Sequence, residues 1–330
     1  MDYEYIEPEY IKTAVDLLSE AKIDLCWFKA TRKKKGLERR ALFTLQQACE
    51  KALKAYLFST LLGFLLSLRK LSREKDRNLY PQAYRLLKKV EGLKKPRRLG
   101  HEFKEFFDFI REFDQKFNRG RLNDYMAFLI KERMLKNIVR NKERWATRAA
   151  KKLNLPEETV RGVLNSLALS LEHVVETLRD FKYQSSGRHP SGKEPVVCIR
   201  DTVKYYLRAS SELEKILEKA VEELDLKILE AHLHKIVSAL PAHLAETIDI
   251  DLIYRLTPNH AAKTMSPLYA IPLFLCLSRY VGSSRYPDAK SVPPEELVSL
   301  DYTYRAVKRL VETIDYCINF LTFQGKLLAN

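Results

Sequence analysis

Apolar residues recur at helical spacing along most of the chain. In Thr44–Leu57, TLQQACEKALKAYL, the residues Leu45, Cys49, Ala52, Leu53 and Tyr56 form one stripe, whereas Gln46, Gln47, Glu50, Lys51 and Lys54 lie largely off it. The same period predicts a helix from about Pro8 to Ala30 and, after the basic turn Arg32–Gly36, a second from Glu38 through Leu68. So short a turn predicts that the two pair antiparallel. A basic segment follows, Arg69 to Arg98, with a loop at Lys94–Gly100 marked by its Pro and Gly. His101–Ile110 then begins a new amphipathic helix, and helical, basic pattern runs from roughly Asn118 to Lys182. Gln184–Gly192 is the clearest loop. Beyond it, helices are predicted over Asp201–Glu223 and Leu226–Leu240, with Pro241, Pro258, Pro267 and Pro272 punctuating what comes next. An apolar helix ending near Tyr280, the turn Gly282–Asp288, a proline-containing loop and a helix over Tyr302–Phe323 complete the chain. No fixed-period repeat is visible.

Composition agrees with this pattern. Only 10 glycines in 330 residues leave little room for a sheet or a phosphate-cradling glycine loop, so the expected fold class is all-α. The 58 basic residues outnumber the 43 acidic ones to give a net charge of +15, which attracts polyanions without specifying one. A Lys/Glu-rich surface of exposed ion pairs, of the kind thermophiles carry, is the alternative source of such charge. The 5 cysteines (Cys26, Cys49, Cys198, Cys276 and Cys317) are odd in number, lack CxxC spacing and mostly fall on apolar faces. They read as core residues in a reducing cytoplasm. The acidic start MDYEYIEPEY has no pattern of a secretory signal. Tyr56–Leu68, the most apolar stretch, reads as a buried helix end too short to span a bilayer. The expectation is a cytoplasmic protein without a membrane segment.

Two separated pieces carry a family resemblance. Residues 14–57 contain AVDLLSEAKIDLCWF followed by LQQACEKALKAYL, and residues 273–321 contain LFLCLSRYVGSSRYPDA followed by DYTYRAVKRLVETIDYCINFL. Together they resemble the HEPN family, helical domains of higher eukaryotes and prokaryotes, of the type with an RYPD turn before the last helix. His101-Glu-Phe is similar to the family's middle signature, yet the RYPD turn arrives late. The resemblance therefore implies an up-down helical bundle built from 1–114 and 268–330, with a basic helical insertion over 115–267. It also implies binding of nucleotide or RNA, a nucleotidyltransferase partner in a toxin–antitoxin-like pair, and homodimers. The implied nucleotide- or partner-binding residues are Gln47, Glu50, Lys51 and Lys54 with Arg285, Tyr286 and Asp288, and a contact from Glu50 to Arg285 would close the split domain. Read without the resemblance, the first four are a solvated helix face with local charge pairs. In the same plain reading, Pro287 ends a helix and Asp288 bonds turn amides.

Catalytic members resemble one another in an Arg and a His with four to six residues between them, the pair used for metal-independent RNA cleavage. A His near neutrality would serve the 2′-hydroxyl or the leaving oxygen, and an Arg would hold the phosphate. Arg255 and His260 have that spacing, which so basic a chain also meets by chance; Arg97 and His101 fall one residue short. An endoribonuclease is thus the alternative function.

A third reading is DNA binding. Ala150, Asn154, Val160 and Val163 fit helix-turn-helix spacing, with Arg161 and Asn165 directed to a groove and Arg144 and Arg148 to phosphates. A plain helical hairpin fits the same letters. His232, His234 and His243 face different ways and gain no completing ligand, so no metal is expected. No cofactor motif, Walker loop or Ser-His-Asp order occurs.

Overall fold

The computed structural model describes residues 8–34, 36–92, 103–118, 121–153, 156–158, 160–162, 164, 165, 168, 171, 172, 175, 199–223, 263–279 and 300–329. Among them the secondary structure is helical, with no strand. The expected all-α class is therefore observed.

Helix α1, Pro8–Thr31, places Tyr10, Ala14, Leu18, Ala21, Leu25 and Phe28 on one buried stripe at steps of three and four. That stripe packs on α2, Glu38–Tyr56. Small residues on both sides, Ala14 and Ala21 against Ala41, Ala48 and Ala52, are fully buried and allow close approach. The pairing is antiparallel: Lys51 reaches back to Asp24 at 2.8 Å and Glu20 at 3.2 Å, while Tyr10 meets Phe58 at 6.0 Å between ring centroids. Gly36 makes the reversal in the left-handed region, φ 86°, where a side chain would be strained.

The predicted second helix continues as one rod. A π turn at Leu57–Leu61 joins α2 to α3, Leu62–Leu71. By length and composition the run Glu38–Leu71 could cross a bilayer, so shortness does not exclude a span as the sequence suggested. Its most apolar window is instead mostly buried inside the protein.

After α3 come α4, Asp76–Leu79, and α5, Pro81–Gly92, then α6, Phe103–Asn118, and α7, Arg121–Leu129. A second π turn, Ile130–Leu135, leads into α8, Lys136–Leu153. Helix α9 covers Ile199–Glu223. A 3-10 turn at Ser266–Ala270 leads directly into α10, Ile271–Arg279, and the last helix, α11, is Leu300–Ala329.

Helix α2 is the hub. Besides α1 it meets α10 and α11, so the beginning and the end of the chain share one core. Phe28 stacks on Tyr304 at 5.1 Å, Lys22 pairs with Asp315 at 2.9 Å, and Arg32 pairs with Asp301. The core also takes in Leu122, Tyr125, Ile199, Val203 and Tyr206, from the segment expected to be an insertion. Apolar burial is continuous across all three segments.

Encirclement of α2 changes the reading of its polar letters. Gln46 is fully buried, and Glu50 and Lys54 are each only 6% exposed, because helices on several sides cover this face of α2, whereas Gln47 and Lys51 stay partly exposed.

Cys49, Cys276 and Cys317 are buried and Cys26 is exposed; Cys198 lies outside the described residues. Burial pushes the Cys317 thiol up to about 11 and that of Cys49 further still. Under native conditions at neutral pH, a thiol reagent is expected to modify Cys26 well before these three. In a Cys198→Ser background, replacing Cys26 by Ser should remove that early phase, and its persistence would show that a buried thiol is accessible.

Candidate nucleic-acid interface

Arg73 and Asp76 begin the site. The chain leaves α3 through Ser72, whose hydroxyl donates to the Arg69 carbonyl at 2.7 Å, and the Arg73 amide then donates to the Asp76 carboxylate at 2.9 Å. Asp76 therefore secures the start of α4 from three residues downstream. Its carboxylate, 1% exposed, also accepts from the Tyr125 hydroxyl at 3.3 Å and the Arg133 guanidinium at 3.0 Å. Burial, and then the nearby Asp76 charge, push the Tyr125 hydroxyl pKa well up, so it stays a neutral donor.

Arg133 comes from the second π turn. Asp76 pins one end of its guanidinium, Phe128 lies beneath at 5.7 Å, and its Nε is buried without a hydrogen-bond partner among the described residues. Around it opens a cleft of about 330 Å³ lined by Lys70, Leu71, Arg73, Glu132, Arg133, Lys136, Asn137 and Arg140. Five cationic side chains meet one carboxylate there. Glu132 is engaged by Lys136, and that bond, ahead of the other nearby cations, holds its carboxyl below the ordinary value. Among the described residues the Arg73 and Arg140 guanidinium groups have no carboxylate partner. Arg73 and Arg140 thus give the concavity a positive charge suited to phosphate.

Other expected site residues are placed differently. Glu50 receives Lys54 at 2.8 Å on one oxygen and Gln46 at 3.0 Å on the other; Gln47 donates to Gln46 at 2.7 Å, and Lys54 lies 5.2 Å over the Phe106 ring. These groups satisfy one another within the core. Lys51 turns away to α1, where burial lowers its pKa but Asp24 and Glu20 outweigh it and hold the ammonium above its usual value. Burial has the opposite balance at Asp24, whose carboxyl is raised despite Lys51. Arg285, Tyr286 and Asp288 lie outside the described residues, and so does the expected Glu50–Arg285 contact. The same holds for Arg255, His260 and His101, and for His232, His234 and His243. Among the described residues no group of three or more His, Cys, Asp or Glu is placed to hold a metal.

In the hairpin, Arg144 and Arg148 are exposed on α8. Arg161 folds back onto that helix, pairing with Glu143 at 2.9 Å and Glu157 at 3.0 Å, and Asn165 accepts from Lys142 at 3.4 Å. Both side chains named for base reading are thus engaged with their own hairpin.

The cleft itself was visible in sequence only as two charge runs, around Arg69–Arg98 and Lys131–Lys152. Nothing local signals that Asp76 and Arg133 meet. Compared with family models, with curated proteins and with solved structures, the chain matches none.

Proposed function

We propose that the chain binds RNA or a nucleotide through the cationic cleft, as an all-helical cytoplasmic protein of the HEPN type. The observation that carries this reading is the convergence of Lys70, Arg73, Arg133, Lys136 and Arg140 on one concavity whose lining contains a single carboxylate, Glu132. Scattered surface ion pairs, the alternative source of the chain's charge, would not leave Arg73 and Arg140 lining one cleft without carboxylate partners. The HEPN part rests on the resemblance and is supported by the packing of α2 against α10 and α11, which joins the two resembling pieces. From the same resemblance come a nucleotidyltransferase partner, a toxin–antitoxin-like role and a homodimer. The exposed apolar residues Val15, Ile23 and Trp27 of α1 offer a surface for such pairing.

Arg73→Glu combined with Arg140→Glu is expected to weaken binding of a short single-stranded RNA by roughly tenfold or more. The log–log salt dependence should flatten by about one to two phosphate contacts. Fluorescence anisotropy between low and physiological salt reads both quantities. Lys12→Glu combined with Lys33→Glu, two exposed reversals away from the cleft, makes the same change of net charge and serves as the control. Equal losses in the two variants would mean that the cleft is not the site.

A further inference from the structure

A second cleft of about 270 Å³ adjoins the first and is lined by Tyr80, Asp124, Phe128, Lys131 and Glu132. Glu132 lines both. We propose that the two clefts are one bipartite site for single-stranded nucleic acid, with a backbone phosphate in the cationic cleft and a base in the aromatic one. This rests on the polyanion-binding reading above and adds what that reading leaves open: which part of the ligand is recognised beyond its charge.

Three consecutive residues of the second π turn divide the work. Lys131 lines the aromatic cleft, Arg133 the cationic one, and Glu132 stands between them. The π turn's extra residue displaces these side chains from an ordinary helical progression, and such turns recur at functional sites. The aromatic wall is rigid: Tyr80 stacks on Tyr125 at 4.9 Å and meets Phe128 at 5.2 Å, and these rings come from different parts of the chain. Arg133 ties the halves together, since it is fixed by buried Asp76, lies over Phe128 and faces the cationic cleft. A phosphate bound by Arg133 and Arg73 would therefore have an aromatic platform next to it, the combination by which single strands are held.

The carboxylates decide which part of a nucleotide enters which cleft. Asp124 and Glu132 repel phosphate from the aromatic cleft and accept hydrogen bonds from ring or exocyclic N–H groups. The exocyclic amine of adenine or cytosine offers two N–H donors to these carboxylates whereas uracil offers a single ring N–H, so an amine-bearing base is preferred. A duplex keeps its bases stacked and paired, and it would meet only the cationic half.

The test compares a short oligoadenylate with an abasic oligomer of the same length and charge on the full chain, by anisotropy across a salt series. Oligoadenylate is expected to bind roughly tenfold more tightly, within the range of one base–aromatic stack, with the same salt slope for both. Equal salt-dependent affinities would overturn the bipartite site and leave phosphate binding standing. Failure of both oligomers to bind would overturn both readings. In the Asp124→Asn variant, which changes a residue of the aromatic cleft alone, the preference for oligoadenylate over oligouridylate should fall severalfold without loss of abasic-oligomer affinity. An undiminished preference would place the base elsewhere and overturn the proposal.

Discussion

Asp76→Ala is expected to destabilise the protein by about 3–5 kcal/mol, the range for breaking a buried ion pair by removing one partner. Three losses coincide at this side chain. The Arg73 amide loses its cap, the Tyr125 hydroxyl loses an acceptor, and Arg133 remains largely buried beside Phe128 without its counter-charge. The last loss dominates, because an unpaired buried guanidinium must move toward water or remain desolvated. Asp76→Asn retains an amide oxygen for the cap but not the charge, so its loss should be intermediate. Urea unfolding of the three proteins gives the comparison directly. An Asp76→Ala loss below about 1 kcal/mol would mean that Arg133 finds solvent or another partner at little expense, and that its placement in the cleft is not fixed by Asp76.

Asp76 also shows where sequence reasoning stops. Its spacing from Arg73 resembles a helix-start signal, legible over three residues, but its contacts with Tyr125 and Arg133 span the intervening helices α5 and α6. Periodicity describes a helix one face at a time, and it served well where one face decides burial. The helix Pro8–Thr31 and its antiparallel pairing with α2 followed from it. It failed on α2, where Gln46, Glu50 and Lys54 were assigned to a side away from the core and are buried. The cause lies far along the chain, in α10 and α11, which cover what the local pattern leaves open. The π turns at Leu57–Leu61 and Ile130–Leu135 were likewise illegible, since one is largely apolar and the other half charged, and one extra residue per turn leaves no common mark in residue type. Charge runs pointed to the right segments of the basic cleft, but convergence of Arg73 and Arg140 is a tertiary fact. The Arg161 and Asn165 positions fit a groove-reading helix by spacing, whereas carboxylates and Lys142 within the hairpin claim them.

Burial of Glu50 and Lys54 leads to the second large effect. Lys54→Ala is expected to destabilise by about 3–5 kcal/mol, since the Glu50 carboxylate would keep only amide donors from Gln46 and Gln47 in a site closed to water. It would also remove the ammonium from the Phe106 ring. The double variant Glu50→Leu, Lys54→Met removes both charges and refills similar volume. Its remaining penalty is the Gln46 amide left without its carboxylate, on the order of 1–3 kcal/mol. The double should therefore be no worse than Lys54→Ala alone, and the cycle completed by the single variants Glu50→Leu and Lys54→Met should give strong coupling. Additive losses would contradict a mutually compensated pair. The same variant separates the two roles open to these residues. A ligand- or partner-binding role would make the double variant folded but unable to bind, whereas a pair serving the core would leave oligonucleotide affinity close to wild type. With both oxygens of Glu50 already occupied and the cationic cleft built from other side chains, retained oligonucleotide affinity is the expected result.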